Sequence, residues 1–279
     1  MTASSLDNIP LSEPAPDRSI SGAVHDVLEG ARRFRLAFNL GWQDAMLPYR
    51  RALLGPLWLS IIPGLWAGII SAVFYRSLGG GRPEYVLYVF SGIVFFQFAQ
   101  AMLVSGTSAF QRSTSIIRNI PTPLFLHVLR TVMMNLQTLM AQLPMVGVVY
   151  LLSGGTLTSQ LLLLVPGIVL VSVTLAGAAL VLACATTIVR DLSHAVSAVM
   201  RVSFFATPVF WYADGGDPIR LALVQYNPFA HGLNILRDPL LGLPPNETSW
   251  AVCAAMMVVF WALGIVLFAR FRMRIVSFL

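Results

Sequence analysis

The chain has 279 residues and a formal net charge of +6, and its composition is strongly apolar, with 57% hydrophobic and only 11% charged residues. An ordinary soluble domain carries about 25% charged residues, so this composition excludes a typical water-soluble fold. Residues 131–189 form a run of 59 residues without a charged side chain, whereas one membrane span needs only about 20 residues. The sequence therefore predicts an all-α, polytopic membrane protein with one membrane domain.

All 18 basic residues are arginines. A phosphate-binding loop of the Gly-x-x-x-x-Gly-Lys-Ser/Thr type needs a lysine, and so does a Schiff base. Any ATP and magnesium that drive this protein must therefore bind to a separate subunit. The histidines are scattered without metal-ligand spacing, at His25, His127, His194 and His231. We expect neither a cofactor nor a metal in the chain itself.

The N-terminal region divides into two predicted parts. Residues 1–22 are polar, contain prolines and lack the apolar stretch of a signal peptide, so we expect a flexible cytoplasmic tail. Residues 23–38 repeat apolar side chains at helical spacing, and their polar face carries Arg32, Arg33 and Arg35. This pattern predicts an amphipathic helix in the membrane interface, with packing on another protein as the alternative.

The apolar segments predict six spans, at about 52–75, 85–108, 124–152, 159–187, 194–212 and 249–269. Arg201 is the only charge that we assign to the interior of a span. Residues 214–248 are too polar to span, but Phe229, Leu233, Leu236 and Leu240 form a helical stripe. We expect short helices there that dip into the outer leaflet.

The arginines also predict an orientation. Six spans place both termini on one side of the membrane. With the termini in the cytoplasm, the inner segments hold twelve arginines and the outer segments hold four, which are Arg76, Arg82, Arg220 and Arg237. Because cytoplasmic loops carry the excess of basic residues, we expect both termini to be cytoplasmic.

Three classes of membrane protein fit such a chain. We assign no Asp, Glu, Lys, Arg or His to the interior of spans 1–4 or of span 6, and ion-coupled carriers usually place such groups near the midplane. This absence argues against a secondary carrier. The alternative is a membrane-embedded glycosyl or acyl transferase that uses edge residues such as His231 and Asp238 as acid and base. A transport subunit driven by a partner ATPase is the leading hypothesis.

Aromatic side chains cluster in spans 2 and 5, and we assign six of them to a substrate pathway: Phe95, Phe96, Phe204, Phe205, Trp211 and Tyr212. Lipid-facing belts and helix packing are the alternative for each ring. Two roles are open for Arg201. Its guanidinium either snorkels to the inner headgroups or meets the pyrophosphate of a lipid-linked glycan in the pathway.

Several short motifs follow one another in a fixed order: Tyr49-Arg50-Arg51, Leu54-Gly55-Pro56-Leu57-Trp58, Ile120-Pro121, Arg190-Asp191, Thr207-Pro208-Val209-Phe210-Trp211, Asn227-Pro228 and Arg237-Asp238. This series resembles the ABC-2 type permeases that export O-antigen, capsule, teichoic acid and galactan, and the resemblance covers about residues 23–274. Two positions depart from the family pattern. Thr207 stands where serine is common, and Ile120 stands where an aromatic residue is common, which leaves the exact polymer open.

The resemblance implies that residues 23–279 are an ABC-2 transmembrane domain in a bacterial cytoplasmic (inner) membrane. It implies a homodimer that works with two copies of a cytoplasmic ABC ATPase and exports a lipid-linked polysaccharide, with no nucleic acid as partner. It further implies that the interface helix and two inner loops dock on the ATPase. The loop residues that we assign to this coupling are Arg112, Ile116, Ile117, Arg118, Pro121, Arg190 and Asp191.

Overall fold

The computed structural model describes residues 19–212 and 217–278, which form helices and connecting turns with no strand among them. The α-helices of this part are α1 (Ile20–Arg32), α2 (Phe34–Met46), α3 (Trp58–Phe74), α4 (Tyr85–Gly106), α5 (Thr114–Asn119), α6 (Phe125–Leu152), α7 (Leu164–Ile188), α8 (Leu192–Ala206), α9 (Pro218–Tyr226), α10 (Pro228–Arg237) and α11 (Glu247–Phe278). We call the end of the bundle that carries α5 the inner end, and the opposite end, where α4 begins, the outer end.

Five helical segments are long and apolar enough to cross a membrane, and they are Gly55–Phe74, Tyr85–Gly106, Phe125–Leu152, Ser159–Ile188 and Glu247–Arg272. The predicted all-α, multi-pass architecture is therefore confirmed. The predicted fifth span is different, because α8 has only 15 residues and ends at Ala206. A helix of that length extends about 22 Å, which is less than the roughly 30 Å of a bilayer core.

Helix α4 is the centre of the bundle. Every residue from Leu87 to Phe96 is buried, and α4 packs against α3, α6, α7, α8 and α10. Small residues allow the close approaches, as is usual between membrane helices. A Cβ atom on Gly106 would lie 2.8 Å from the Cβ atom of Ala179, so α4 and α7 meet almost backbone to backbone.

The N-terminal helix is longer than predicted and is broken in two at Arg33. Residues 20–22, assigned to the flexible tail, belong to α1, and residues 1–18 lie outside the described part. The face that packs on the bundle consists of small residues, namely Ala23, Gly30, Ala37, Gly41 and Ala45. The large side chains Leu28, Phe34 and Phe38 point outward and are exposed. An exposed apolar face next to arginines suits the membrane interface.

Two carboxylates tie these N-terminal helices to α6. Asp26 accepts hydrogen bonds from the backbone N–H groups of Leu124 and Phe125 at 3.3 and 3.0 Å, so a residue of α1 caps the start of α6. Burial raises the pKa of Asp26, although these two donors act in the opposite direction. Asp44 accepts both Nε and Nη2 of Arg130 at 2.6 and 2.7 Å. The prediction that Arg201 is the only charge within a span was therefore wrong, because Arg130 lies inside α6 and is neutralised there.

Candidate functional site

The two inner loops that we assigned to ATPase coupling meet at the inner end of the bundle. They form the two sides of a polar cleft of about 330 Å³, which we call the inner cleft. It is lined by Ser108, Gln111, Thr114, Thr186, Thr187, Arg190, Asp191, Ser193 and His194. Folding thus brings together two segments that are more than seventy residues apart in the chain.

The first of these loops contains α5, a helix of six residues. Arg118, Ile120 and Pro121 are exposed at its end. Ile117, in contrast, packs against a buried cluster of the bundle that includes Phe125. Among the residues assigned to coupling, Arg118 and Pro121 therefore point outward, whereas the side chain of Ile117 packs on the core.

Arg112 is turned back toward the bundle. Its Nη2 atom donates a hydrogen bond of 2.6 Å to the carbonyl oxygen of Ser105, in the last turn of α4. A cation at a helix C-terminus satisfies a free carbonyl and interacts favourably with the helix dipole. This contact makes Arg112 a cap of α4, whereas Arg190 and Asp191 remain exposed on the opposite side of the inner cleft.

The arginines of the interface helix lie at the surface. Arg32 and Arg35 are exposed, and Arg33 pairs with Glu29 at 2.6 Å. Both side chains of this pair are 40% exposed, so the pair contributes little to stability. These positions leave the two exposed guanidinium groups available to phosphate headgroups or to a partner.

Helix α8 ends at Ala206, and the chain continues toward the outer end as an irregular segment, Thr207–Tyr212, which we call the outer strap. Side chains from α4 hold its carbonyl groups. The hydroxyl of Tyr85 donates to Phe210 O at 2.7 Å, and the hydroxyl of Tyr88 lies 3.0 and 2.9 Å from Pro208 O and Trp211 O. Irregular backbone is tolerated at membrane depth only where the protein itself satisfies such groups.

Helix α10 and its N-cap complete the support of the outer strap. Arg237, which is 4% exposed, donates from Nη1 to Pro208 O at 2.6 Å and stacks 3.8 Å from the centre of the Tyr88 ring. The side-chain amide of Asn227 donates to Thr207 Oγ1 at 2.9 Å. A Cβ atom on Gly92 would lie 2.6 Å from Val209 O, so only glycine fits where the strap crosses α4.

Helix α10 runs inside the bundle rather than over its surface. Phe229, near its start, contacts Phe96 with ring centres 6.0 Å apart, and Arg237, at its end, contacts Tyr88. Tyr88 and Phe96 are eight residues apart on α4, which corresponds to about 12 Å along the helix. Helix α10 therefore lies along α4 between the levels of Phe96 and Tyr88. Leu233, Leu236 and Leu240 of the predicted stripe are buried in the core.

The six aromatic residues assigned to a substrate pathway separate by burial. Phe95, Phe96 and Trp211 are buried in the protomer, with exposed fractions of 2%, 2% and 6%. Phe204 bridges Phe96 and Phe210, at 5.5 and 5.7 Å between ring centres, and Tyr212 packs on Tyr88 at 4.0 Å. These rings tie α4 to α8 and to the outer strap. In the single chain the three buried rings pack between neighbouring elements, and their assignment to the substrate pathway stays a prediction.

Phe205 and Arg201 lie on the outer surface of α8. Phe205 is 68% exposed, and the guanidinium of Arg201 makes a hydrogen bond of 3.3 Å to Ser197 O on its own helix. Val202, next to Arg201, is also exposed, and so is His194, two turns earlier on the same face. Arg201 therefore stands in an uncovered helix face.

Comparison with known proteins agrees with this architecture. Residues 36–241 match the family model of the ABC-2 type transporter. The chain belongs to this family. It is 22% identical to the O-antigen export system permease protein RfbA of Klebsiella pneumoniae over 257 residues, which cover 88% of this chain and 99% of that protein. It is 25% identical to the protein of the same name from Myxococcus xanthus over 232 residues, which cover 81% and 89%. The predicted resemblance is confirmed.

The ABC-2 chain contains a second cleft that the sequence did not reveal. It lies between α3, α4 and α6, has a volume of about 210 Å³, and combines aromatic rings with uncharged amides; among its lining residues are Tyr49, Trp58, Gln97, Phe98, Asn135 and Gln142. The Nε2 atom of Gln142 donates to Leu59 O at 2.9 Å. The amides Asn135 and Gln142 in the uncharged run were the sequence feature that could have indicated this cleft. Because they are far in sequence from α3 and α4, the sequence did not predict it.

The transferase alternative depends on His231, which this ABC-2 structure uses as a bridge. Its Nδ1 atom lies 3.1 Å from Ser249 Oγ, and its Nε2 atom lies 2.9 Å from Gln225 O. Both ring nitrogens are thus engaged in joining α9, α10 and α11. Asp238 lies two helical turns further on, about 10 Å along the axis. Burial raises the pKa of Asp238 to about 6, while Arg237 lowers it. The two groups do not form an acid–base pair.

Proposed function

We propose that this chain is the transmembrane permease subunit of an ATP-driven exporter that moves a lipid-linked polysaccharide from the cytoplasmic to the outer side of a bacterial inner membrane. Membership of the ABC-2 family and the names of its relatives support an export permease. The polymer is of the O-antigen, teichoic acid or galactan class. Both termini lie in the cytoplasm, in agreement with the distribution of arginines.

The inner cleft is the observation that carries this proposal. Exposed residues of two loops that are distant in sequence meet there. Within the bundle, the charge of Arg130 is neutralised by Asp44. The membrane helices thus offer few groups that could couple transport to an ion gradient. A partner ATPase that binds at the inner cleft and at α5 supplies the energy in our proposal, with two ATPase copies for two copies of this chain.

The exposed face of α8 supports a homodimer. An arginine that faces lipid costs about 2.5–3.5 kcal/mol on insertion scales. Arg201 stands on this face beside Val202 and Phe205, and all three side chains are exposed in the single chain. We propose that two copies face each other across α8, so that Arg201 meets the glycan pyrophosphate in a hydrated pathway.

The fifth crossing of the membrane is then discontinuous. Helix α8 reaches from the inner end to the level of Phe96, and the outer strap continues from there to Tyr85 at the outer end. In this proposal the helix and the strap together span the bilayer and give the six crossings. Broken helices of this kind form the transport sites of other membrane carriers.

The direct test is ATP hydrolysis in proteoliposomes. The purified chain alone should not hydrolyse ATP, because its sequence contains no lysine that could form a phosphate-binding loop. Together with its ATPase subunit it should support hydrolysis that responds to added glycolipid. Hydrolysis by the chain alone, at a rate comparable to that of the complex, would refute the proposal.

A further inference from the structure

An apolar cavity that is partly open to the surface lies within the protomer, between α4, α7, α10 and α11. Its volume is about 100 Å³, and its walls include Phe96, Leu103, Leu175, Gly232, Cys253 and Phe260. The one side-chain hydroxyl in the wall belongs to Thr174 and donates a hydrogen bond of 2.8 Å to Leu170 O. The cavity therefore offers water or a sugar almost nothing to bind.

An apolar cavity of this kind takes up hydrocarbon. Engineered cavities of about 150 Å³ that are lined by Leu, Ile and Phe stay dry and bind benzene. Here the surrounding helices have the length and composition of membrane spans, so lipid chains surround the bundle. Phe229 on α10 and Met256 and Phe260 on α11 line the cavity and are only partly buried, so the cavity opens to the surface between these two helices.

We propose that this cavity binds the end of one hydrocarbon chain of a lipid, which enters between α10 and α11. The chemistry fits either an acyl chain of a membrane phospholipid or a polyprenyl chain. The end of the chain fills the space beneath α10, the helix whose Arg237 holds the outer strap through Pro208 O. A lipid chain therefore stabilises α10 and the outer strap. This inference does not depend on which polymer the protein exports or on its ATPase.

Gly232 provides a variant that closes the cavity. A Cβ atom built on Gly232 meets no atom within 4 Å, so the leucine of Gly232→Leu can occupy the cavity without displacing its walls. Gly147 on α6 is an exposed glycine with equal free space and is not part of the cavity. Gly147→Leu is therefore the matched control. Ala99→Leu, which fills the cavity from α4, is a second closing variant in case Gly232→Leu does not fold.

The experiment uses the full chain in phosphatidylcholine vesicles that contain a phospholipid with a photoreactive diazirine in one acyl chain. A parallel set contains a diazirine-labelled polyprenyl phosphate. After irradiation, mass spectrometry should locate label on α10 and α11 around Phe229 and Met256 in the wild type and in Gly147→Leu. The label at these positions should be lost in Gly232→Leu and in Ala99→Leu. Which of the two probes labels the cavity identifies the source of the chain.

Equal labelling around Phe229 and Met256 in the wild type and in a folded closing variant would overturn the proposal, because the label would then come from the outer surface. Failure of both probes to label these positions would overturn it as well. Either result leaves the proposed export function intact, since ATP hydrolysis with the partner subunit is measured separately.

Discussion

At the residue scale, Arg237 shows how a backbone carbonyl group and an aromatic ring accommodate a buried charge. Its guanidinium is held by Pro208 O and by the face of the Tyr88 ring. Carbonyl groups of a non-helical segment are strong acceptors, and a cation over an aromatic ring is stabilised most where water is excluded. The pair Arg237-Asp238 was visible in the sequence as part of a motif. Its physical role depends on a strap that lies about thirty residues earlier in the chain.

We predict that Arg237→Met lowers the free energy of unfolding by about 2–4 kcal/mol, because it leaves Pro208 O with one donor and removes the ring contact. Arg237→Lys should recover only part of the loss, since an ammonium cannot replace the planar fork. Thermal unfolding in detergent, followed by tryptophan fluorescence, measures the effect. Arg35→Met is the control: Arg35 is exposed on α2, far from the outer strap, and its replacement should change little. Equal effects of Arg237→Met and Arg35→Met would contradict the assigned role.

The raised pKa of Asp238 predicts that the stability of the folded protein depends on pH. Burial raises its pKa from 3.8 to about 6 in the folded protein. Between these two values the folded state binds more protons than the unfolded state, so the free energy of unfolding falls as the pH rises through about 6. Above that pH the buried carboxylate costs about 1–3 kcal/mol. The effect is therefore a loss of stability at neutral pH, not a gain.

The variant Asp238→Asn isolates this contribution from those of the other carboxylates. We expect it to be more stable than the wild type at about pH 8 and nearly equal to it only at about pH 3.5, where Asp238 is protonated in both the folded and the unfolded state. Unfolding midpoints at both pH values measure the difference between the two proteins. A constant difference across this pH range would show that Asp238 does not titrate there.

At the scale of elements, α5 is a surface helix with one anchored side chain. Ile117 packs on the bundle, whereas Ile120, three residues further on, is 54% exposed. An exposed large apolar side chain beside Arg118 suits a groove on a partner protein. Ile116 and Ile117, which the sequence analysis assigned to coupling, are both partly buried, whereas Ile120 is the exposed apolar side chain at this end of the loop.

We predict that Ile120→Asp leaves insertion and thermal stability unchanged but uncouples ATP hydrolysis from export in the complex. Ile117→Asp should instead lower the unfolding temperature, because it places a charge against the apolar cluster. Ser115→Asp adds the same charge at an exposed position of α5 and serves as the control. Normal export by the Ile120→Asp complex would place the coupling contact elsewhere.

At the scale of the whole molecule, the homodimer that we propose depends on the uncovered face of α8. Arg201→Gln should reduce export and weaken the stimulation of the partner ATPase by glycolipid, with unchanged abundance in the membrane. Arg201→Leu separates the two roles that the sequence left open. It should impair export if Arg201 lines the pathway and be harmless if Arg201 only snorkels to headgroups. Glycolipid export in proteoliposomes measures both variants, and export by Arg201→Leu at the wild-type rate would refute the pathway role.

The sequence by itself determined the membrane class, the helical architecture and the absence of a lysine-containing phosphate-binding loop in this chain. The reason is that these properties depend on local composition: a 59-residue uncharged run can be stable only in lipid, and a chain without lysine cannot form a phosphate-binding loop. The ordered motifs also indicated the family, because each lies in one short segment. The positions of the spans followed from apolar length, except where a helix ended early.

Only the tertiary structure decided which side chains satisfy the backbone groups of the irregular segments. Residues 194–212 were predicted as one span because Thr207–Tyr212 is as apolar as the segment before it. Nothing in the local sequence showed that Tyr88 and Arg237 donate hydrogen bonds to the carbonyl groups of this segment. The same holds for Asp26 and Asp44, which bond to α6 from about a hundred residues away. Phe95 and Phe96 matched an accessible aromatic path equally well in sequence, but α10 covers them. Burial and long-range hydrogen bonds depend on which helices become neighbours, and a single sequence does not contain that information locally.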